Sequence, residues 1–351
     1  MFGFSKKKGN YAYIATRAKA KKSLKLREED YNKMLQMSVA EISRYISDSG
    51  YSKEMMELGD KLVGMDLVER ATYLHMADTF KSLLNGSQGE LHTLLSAYLQ
   101  KWDNWNLKVI LRGKSYGLSA DEIRDDLVPA GNLSAEKLEK MIALDSSEEI
   151  LAVFSKEESL SIPNDVLADF KANGNLGKVE DYLDKMQYTR LIKAIDGDSI
   201  ASRMFLDYVR EDIDIKNLET ILKLKVEGIT GDAVMEYVIP GGKQINSKFA
   251  KQLADAATLK ETYADLQTLE FYDYIKDLVD NDNLTVRDLI KHTKKFQIRE
   301  AKRFSSQYPL SILPVVDCMI SMEVEASNIR TVARGIESGL DKQIVKELLV
   351  I

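Results

Sequence analysis

Cysteine, histidine and proline are all scarce in this sequence. Cys318 is the single cysteine among 351 residues, so no disulfide can form within the chain, and the chain fits a reducing compartment. The three histidines (His75, His92 and His292) are scattered and therefore argue against a zinc site. With only five prolines, long stretches lack a helix breaker and are rich in Leu, Lys, Glu, Ala and Met. This composition predicts helix as the main secondary structure.

Long apolar runs are also missing. The most apolar segment, residues 308–324, is interrupted by Pro309, Pro314 and Asp317 and falls short of the roughly 20 apolar residues that a bilayer crossing needs. Residues 1–10 carry lysines with no apolar run behind them, so we expect no signal peptide. The formal net charge of -6 argues against a general nucleic-acid binder. Because apolar residues make up 44% and charged residues 30%, we expect a folded protein. The single cysteine and the missing apolar runs and signal peptide predict a cytoplasmic location.

An internal repeat is present at a lag of 111 residues. Three similar segments begin at asparagines and contain glycines at that same lag: NLKVILRGKSYGLSADEI with Asn106 and Gly117, NLETILKLKVEGITGDAV with Asn217 and Gly228, and NIRTVARGIESGLDKQIV with Asn328 and Gly339. An acidic residue precedes each asparagine by three positions. The lag predicts three repeats, with approximate bounds 1–129 (including an N-terminal tail), 130–240 and 241–351.

The shared segment predicts a helix, a turn and a second helix, which we call a corner. Each glycine supplies the left-handed conformation that ends a helix, and the Leu or Ile after it provides the accompanying apolar contact. Ser119, Thr230 and Asp341 are expected to cap the second helix, and Glu122 completes a capping box in the first copy alone. We interpret the asparagines and glycines as caps and turns whose value is architectural. The predicted fold is all-α, with three pseudo-symmetric helical bundles.

Three stretches resemble the C subunit of bacterial and archaeal V/A-type ATPases, the counterpart of the d subunit of the eukaryotic vacuolar ATPase. They are the opening YAYIATRAKAKKSLKL, the first corner KWDNWNLKVILRGKSYGLS and the closing SNIRTVARGIESGLDKQIVKELL. The resemblance covers essentially the whole chain. Two departures are visible: Leu224 replaces the glycine found at 113 and 335, and Trp105 has no counterpart in the other copies. The three lobes are therefore not expected to pack identically.

The resemblance implies a function as well as a shape. It implies a funnel-shaped body at the cytoplasmic face of the membrane, between the proteolipid ring and the central-stalk subunits. The chain would turn with the rotor during Na⁺ or H⁺ transport or ATP synthesis. It would be no enzyme in its own right, with no catalytic residue, cofactor or metal and no membrane span.

Other motifs have both a functional and a structural interpretation. The basic start of the chain, with Lys6, Lys7 and Lys8 beside Phe2 and Phe4 and further cations up to Arg27, could be a membrane-surface arm, although a tail leading into a solvated helix face is favoured. Acidic clusters at 28–30 and 121–126 are interpreted as helix N-termini. The run 241–243 (Gly-Gly-Lys) lacks the spacing of a phosphate-binding loop.

Aromatic side chains and the single cysteine are expected in the core. The aromatic residues concerned are Trp102, Trp105, Tyr182, Phe271, Tyr272 and Tyr274. Any that lined a central cavity would contact the stalk. Cys318 is interpreted as a small buried residue and not as a nucleophile.

An α-helical repeat scaffold for soluble partners is the alternative function. A repeat period of roughly 34 to 47 residues would support it, and none is visible. An enzyme has the least support, because no catalytic constellation is found.

Overall fold

Regular structure in the described part of the chain is helical. The structure, a computed structural model, describes residues 9–158, 161–174, 176–195, 198–279 and 285–351, and no strand occurs in these ranges. The predicted all-α class is confirmed. The pseudo-symmetry of the bundles and the repeat bounds stay predictions.

The helices are numbered in chain order. They are α1 (Tyr11–Lys22), α2 (Glu28–Met34), α3 (Val39–Ile46), α4 (Ser52–Leu58), α5 (Gly64–Gly86), α6 (Gly89–Ser115), α7 (Ala120–Asp125), α8 (Ala135–Ile142), α9 (Ser147–Glu157), α10 (Asn164–Asn173), α11 (Gly177–Ala194), α12 (Ile200–Val226), α13 (Asp232–Met235), α14 (Ser247–Asp255), α15 (Leu259–Asp265), α16 (Lys276–Val279), α17 (Val286–Gln307), α18 (Leu313–Glu337) and α19 (Lys342–Leu348). A π-helical segment, Ser47–Tyr51, joins α3 to α4, and short 3-10 turns occur at Leu266–Thr268 and Tyr272–Tyr274.

The chain divides into two compact units. The first extends to Gln187 and also contains Cys318–Leu349 and Ile351. The second contains Tyr188–Asp317 and Val350. The first and third corners therefore lie in the first unit, and the second corner lies in the second unit.

Each corner lies in its own hydrophobic cluster. The first cluster joins apolar residues of α6 and α7 to α8, α9, α10 and α11, as shown by fully buried Leu111 and Phe154. The second joins α12 and α13 to residues 245–296, and includes Leu222 and Leu253. The third joins α18 and α19 to residues 26–71, far away in the sequence. The third corner is thus completed by the N-terminal helices.

Several short helices begin with a side-chain cap. The Oγ atoms of Ser38, Ser134 and Ser146 accept from the backbone N–H three residues later at α3, α8 and α9. Asn246 and Thr258 do the same at α14 and α15. Such caps satisfy backbone donors that have no partner inside the helix, so they set where each short helix starts.

All three corners turn through the same hydrogen-bond pattern. Gly117, Gly228 and Gly339 have φ of +71°, +81° and +67°. The N–H of the residue after each glycine donates to the carbonyl five residues earlier, with N–O distances of 2.9 Å at Leu118, Ile229 and Leu340. The glycine N–H itself donates to the carbonyl three residues back. This is the Schellman motif, in which a left-handed residue ends a helix.

The second corner departs from the other two. A Cβ on Gly113 would lie 2.5 Å from the Ile123 side chain, and one on Gly335 would lie 2.4 Å from Val345, so both glycines allow close contact between the two helices of a corner. Leu224 holds this position in the second corner, where α13 has only four residues and begins after Gly231 (φ +66°). The cap predicted at Thr230 is wrong, because Gly231 precedes α13 and no side chain caps this helix, whereas Ser119 and Asp341 cap α7 and α19 as predicted.

The turn glycines yield a stability prediction. Around Gly117 a Cβ would meet nothing within 4 Å, so any loss on substitution must come from the left-handed backbone. We expect Gly117→Val to lower the free energy of unfolding by about 1–3 kcal/mol, measured by urea denaturation. Gly117→Asn is the matched control and should lose less, since Asn tolerates this conformation. Equal losses for Val and Asn would contradict the backbone explanation.

Candidate functional site: buried polar anchors at the corners

The predicted site asparagines lie inside long helices and not at their ends. Asn106 is fully buried within α6; its Nδ2 donates to the Val128 carbonyl (2.8 Å), and its Oδ1 accepts from the Val128 N–H (2.7 Å). Asn217, fully buried in α12, makes the same two hydrogen bonds to Ile239, each at 2.8 Å. The interpretation of these asparagines as caps is therefore wrong. The long helix continues past each asparagine, which instead holds the segment that follows the corner.

Asn328 occupies the corresponding place in α18. It is 3% exposed, and its side chain hydrogen-bonds with the hydroxyl of Tyr31 in α2. The partner thus comes from the N-terminal part of the chain. The 111-residue repeat in the sequence does not reveal this pairing, because Tyr31 and Asn328 lie near opposite ends of the chain.

A buried carboxylate lies one helical turn before each asparagine. Asp103 accepts from the N–H of Asn132 (2.7 Å) and of Leu133 (2.9 Å). Asp214 accepts from the N–H groups of residues 244 and 245, at 2.8 and 2.9 Å. In both cases the carboxylate holds the backbone just before the next short helix, α8 or α14.

Two glycines make room for these carboxylates. A Cβ on Gly131 would lie 2.1 Å from Oδ1 of Asp103, and one on Gly242 would lie 2.2 Å from Oδ1 of Asp214. Any side chain at either position would displace the carboxylate. The glycines that follow Pro129 and Pro240 are therefore part of the acid sites.

Glu325 is the carboxylate of the third corner. Its Oε2 accepts from the Leu26 N–H (2.7 Å), just before α2, and its Oε1 accepts from the Tyr51 hydroxyl (2.7 Å). The Tyr51 ring lies 4.4 Å from the His75 ring, and His75 Nδ1 is 3.2 Å from Oε1 of Glu54. Hydrogen bonds therefore connect α18 to Leu26 and Tyr51, and the Tyr51–His75 ring contact extends this connection to α5 and, through Glu54, to α4.

Burial shifts the protonation of these acids. Loss of solvation, together with the nearby charge of Glu158, raises the pKa of Asp103 to about 7, against the opposing effect of its two N–H donors. Burial raises the pKa of Asp214 to about 6 and also raises the pKa of Glu325. Burial beside Glu325 raises the pKa of Tyr51 well above its usual value, so this hydroxyl stays protonated and donates.

The part of the chain that contains all three corners matches a known protein family. The ATP synthase (C/AC39) subunit family matches over residues 14–348. The chain belongs to this family. The A-type ATP synthase C subunit of Methanococcoides burtonii is 35% identical over 343 residues, covering 97% of this chain and 94% of the relative. The corresponding protein of Archaeoglobus fulgidus is 35% identical over 347 residues, covering 98% of each chain. That of Haloferax volcanii is 29% identical, covering 97% of this chain and 98% of the relative.

Membership of this family confirms the resemblance to the C subunit of V/A-type ATPases. The three acid–asparagine pairs all lie within the matched residues. They are thus part of the body that this family shares and not of an added segment.

Other sequence motifs have structural roles in this family member. The acidic residues of 28–30 and 121–126 include first-turn acids of α2 and α7, and Glu122 forms the predicted capping box with Ser119. Lys243 pairs with Glu211 (2.7 Å) and Glu270 (2.8 Å). No group of three or more potential metal-ligating side chains occurs among the described residues. In the same residues, no helix combines the length and apolarity required to cross a bilayer.

The aromatic residues and Cys318 divide by exposure. Phe271 is 3% exposed and packs near Phe296, and Cys318 is fully buried, as expected for core residues. Trp105 is 44% exposed on α6, so it is not the core anchor that was predicted. It faces outward because its neighbours Asn104 and Asn106 take the buried side of the helix. Lys6, Lys7, Lys8, Phe2 and Phe4 lie outside the described residues.

The raised pKa values yield a pH prediction. The pKa of Asp103 is about 7 in the folded chain, against an ordinary pKa of 3.8. Between these two pH values the folded state therefore binds more protons than the unfolded state. This contribution to stability therefore falls as the pH rises through that range. Asp103→Asn cannot take up this proton, so its stability should not fall with pH for this reason. We expect the difference in thermal midpoint between wild type and Asp103→Asn to shrink from pH 4 towards about pH 7.5, because wild type loses stability over this range.

An exposed carboxylate provides the control for this experiment. Asp66→Asn, in the first turn of α5, makes the same chemical change at an exposed site and should cost less stability than Asp103→Asn at low pH. A deficit of Asp103→Asn that grows with pH would mean that the two N–H donors outweigh burial, which would contradict the prediction.

Proposed function

We propose that this chain is a non-catalytic rotor subunit of a rotary ATPase that couples the central stalk to the proteolipid ring. It would do so during ATP-driven Na⁺ or H⁺ transport or during ATP synthesis. The observation that carries the proposal is the recurrence of one buried acid–asparagine anchor at three corners in a member of the ATP synthase (C/AC39) subunit family. Three similar anchors suit a body with three similar lobes around an axis.

Stiffness supports a coupling role. The helices α6 and α12 have 27 residues each, and α18 has 25. At 1.5 Å per residue, each is on the order of 40 Å long. Buried hydrogen bonds tie each of them to the segment after its corner or, for α18, to the N-terminal part of the chain. Helices held in this way resist bending, as the transmission of torque requires.

The non-catalytic part of the proposal rests on how the buried acids are engaged. Asp103, Asp214 and Glu325 all have raised pKa values, which in an enzyme would mark candidate acid–base groups. Here their oxygens accept hydrogen bonds from backbone N–H groups that fix the fold. We assign them structural roles, and we assign no cofactor to the chain.

The proposed location is the cytoplasmic face of the membrane complex. The relatives named as C subunits of A-type ATP synthases support assignment to such a complex. The funnel shape belongs to this proposal, with one end on the polar loops of the ring and the cavity around the tip of the stalk. The scaffold for soluble partners is the alternative that the experiments must exclude.

Bridging of two partners is the first test of this function. We expect an immobilised, detergent-solubilised proteolipid ring to retain central-stalk subunits only when the full chain is added, as measured by gel analysis of the bound fraction. Gly339→Val, which disturbs the third corner, should weaken capture, whereas Gly339→Asn should retain more of it. Retention of the stalk without the chain, or failure of the chain to bind either partner, would favour the scaffold.

Rotation with the ring is the second test. Tyr116 is 81% exposed and Ile344 is 50% exposed, so Tyr116→Cys and Ile344→Cys each provide an accessible thiol for a photo-crosslinker. The native Cys318 is fully buried and should not react with the reagent. We expect complexes cross-linked from these sites to the ring or central stalk to keep ATP-driven ion transport, compared with unilluminated samples. Loss of transport on cross-linking to the ring would show that the chain does not turn with it.

A further inference from the structure

The segment that includes α1 carries a basic surface in an otherwise acidic chain. We define this basic surface as Lys19, Lys21, Lys22, Lys25 and Arg27. No acidic residue occurs between residue 9 and Glu28, although the chain as a whole has a formal charge of -6. Lys19, Lys25 and Arg27 are exposed, and the other two are half-buried.

This surface belongs to a segment that is fixed to the body. At its start, Asn10 Nδ2 donates to the Gly86 carbonyl (2.8 Å), and Asn10 Oδ1 accepts from the Gln88 N–H (2.9 Å). In the middle, Arg17 donates to the Ser82 hydroxyl (2.6 Å). At its end, the Leu26 N–H donates to buried Glu325. The cations are therefore presented on a fixed helix and the turn after it.

Two apolar side chains are exposed on the same segment. Tyr13 is 57% exposed and Leu24 is 76% exposed; Tyr13 lies six residues before Lys19, and Leu24 lies between Lys22 and Lys25. Ile14, Ala15 and Ala18 form the buried face of α1, so Tyr13 lies on the outer face. An aromatic ring and an aliphatic side chain among lysines are typical of surfaces that rest at a bilayer interface.

We propose that the basic surface binds the anionic phospholipid headgroups of a bilayer, with Tyr13 and Leu24 at headgroup level. The inference rests on the proposed function, which brings the chain close to a membrane. Lysine ammonium groups attract headgroup phosphates without a shaped pocket, so the contact would be weak, reversible and sensitive to salt. It would add a second attachment beside the protein partners.

An acidic polymer is a weaker candidate for the same surface. The net charge of -6 opposes association with an extended polyanion that runs beyond the basic surface. Such a partner would also leave Tyr13 and Leu24 without a role. A bilayer matches both features of the segment, its charge and its exposed apolar side chains.

The test is sedimentation of the isolated full chain with vesicles. One set contains equal parts of phosphatidylserine and phosphatidylcholine, and the other contains phosphatidylcholine alone. We expect binding to the first set and not to the second. Since each basic residue near an anionic surface contributes about five-fold in partition, Lys19→Gln with Lys21→Gln should lower binding on the order of twenty-fold.

Two further variants distinguish a lipid surface from a polyanion. Lys248→Gln with Lys260→Gln changes two exposed lysines of α14 and α15 and alters the net charge equally, so it should bind like wild type. Tyr13→Ser with Leu24→Ser should lower vesicle binding but leave binding to polyglutamate unchanged. Circular dichroism would check that every variant remains folded.

Three outcomes would overturn the inference. The first is no binding of wild type to the anionic vesicles, and the second is a loss in the Lys248 and Lys260 variant equal to that in the Lys19 and Lys21 variant. The third is that the Lys19 and Lys21 variant loses polyglutamate binding as strongly as vesicle binding, while the Tyr13 and Leu24 variant binds vesicles like wild type. Because ring and stalk are absent from this assay, its failure would leave the bridging result untouched. A failed bridging experiment with intact vesicle binding would instead count against the proposed function.

Discussion

Each long corner helix carries a buried carboxylate that accepts backbone N–H groups from just before a short helix, two for Asp103 and for Asp214 and one for Glu325. Burying a carboxyl group without hydrogen bonds is strongly unfavourable, so the group requires those donors. Asp103 and Asp214 fit closely against the backbone that they bind, because there is no space for a Cβ on Gly131 or Gly242 beside the carboxylates. The asparagine one turn later fixes Val128 or Ile239 in the same way. The path of the chain after each of these corners depends on this pair.

The third corner follows the same chemistry with partners from the other end of the sequence. Glu325 meets Leu26 across 299 residues and Tyr51 across 274. Glutamate, one methylene longer than aspartate, reaches both the backbone N–H and the phenol. The hydrophobic cluster around Val332 and Val345 is completed by the N-terminal helices in the same region. This contact also holds the end of the segment that presents the basic surface.

The three corners share one turn but differ in detail. Gly113 and Gly335 allow the second helix of the corner to pack tightly, whereas the second corner has Leu224 at this position and a short α13. The first corner helix alone has an exposed tryptophan, Trp105, and Lys216 and Ser327 hold the corresponding positions in α12 and α18. These local differences distinguish corners that share one turn geometry.

The sequence by itself determined the helical class, the three corners with their left-handed glycines and the family. These features depend on local rules: helix propensity, the left-handed conformation of Gly117 and its equivalents, and residues shared at a constant lag. Tertiary structure alone decided that Asn106 and Asn217 are buried anchors, that the acids before them accept backbone N–H groups, and that Leu26 pairs with Glu325. The physical reason is that burial and long-range hydrogen bonding depend on segments distant in sequence, whereas a repeat pattern records only which positions are alike.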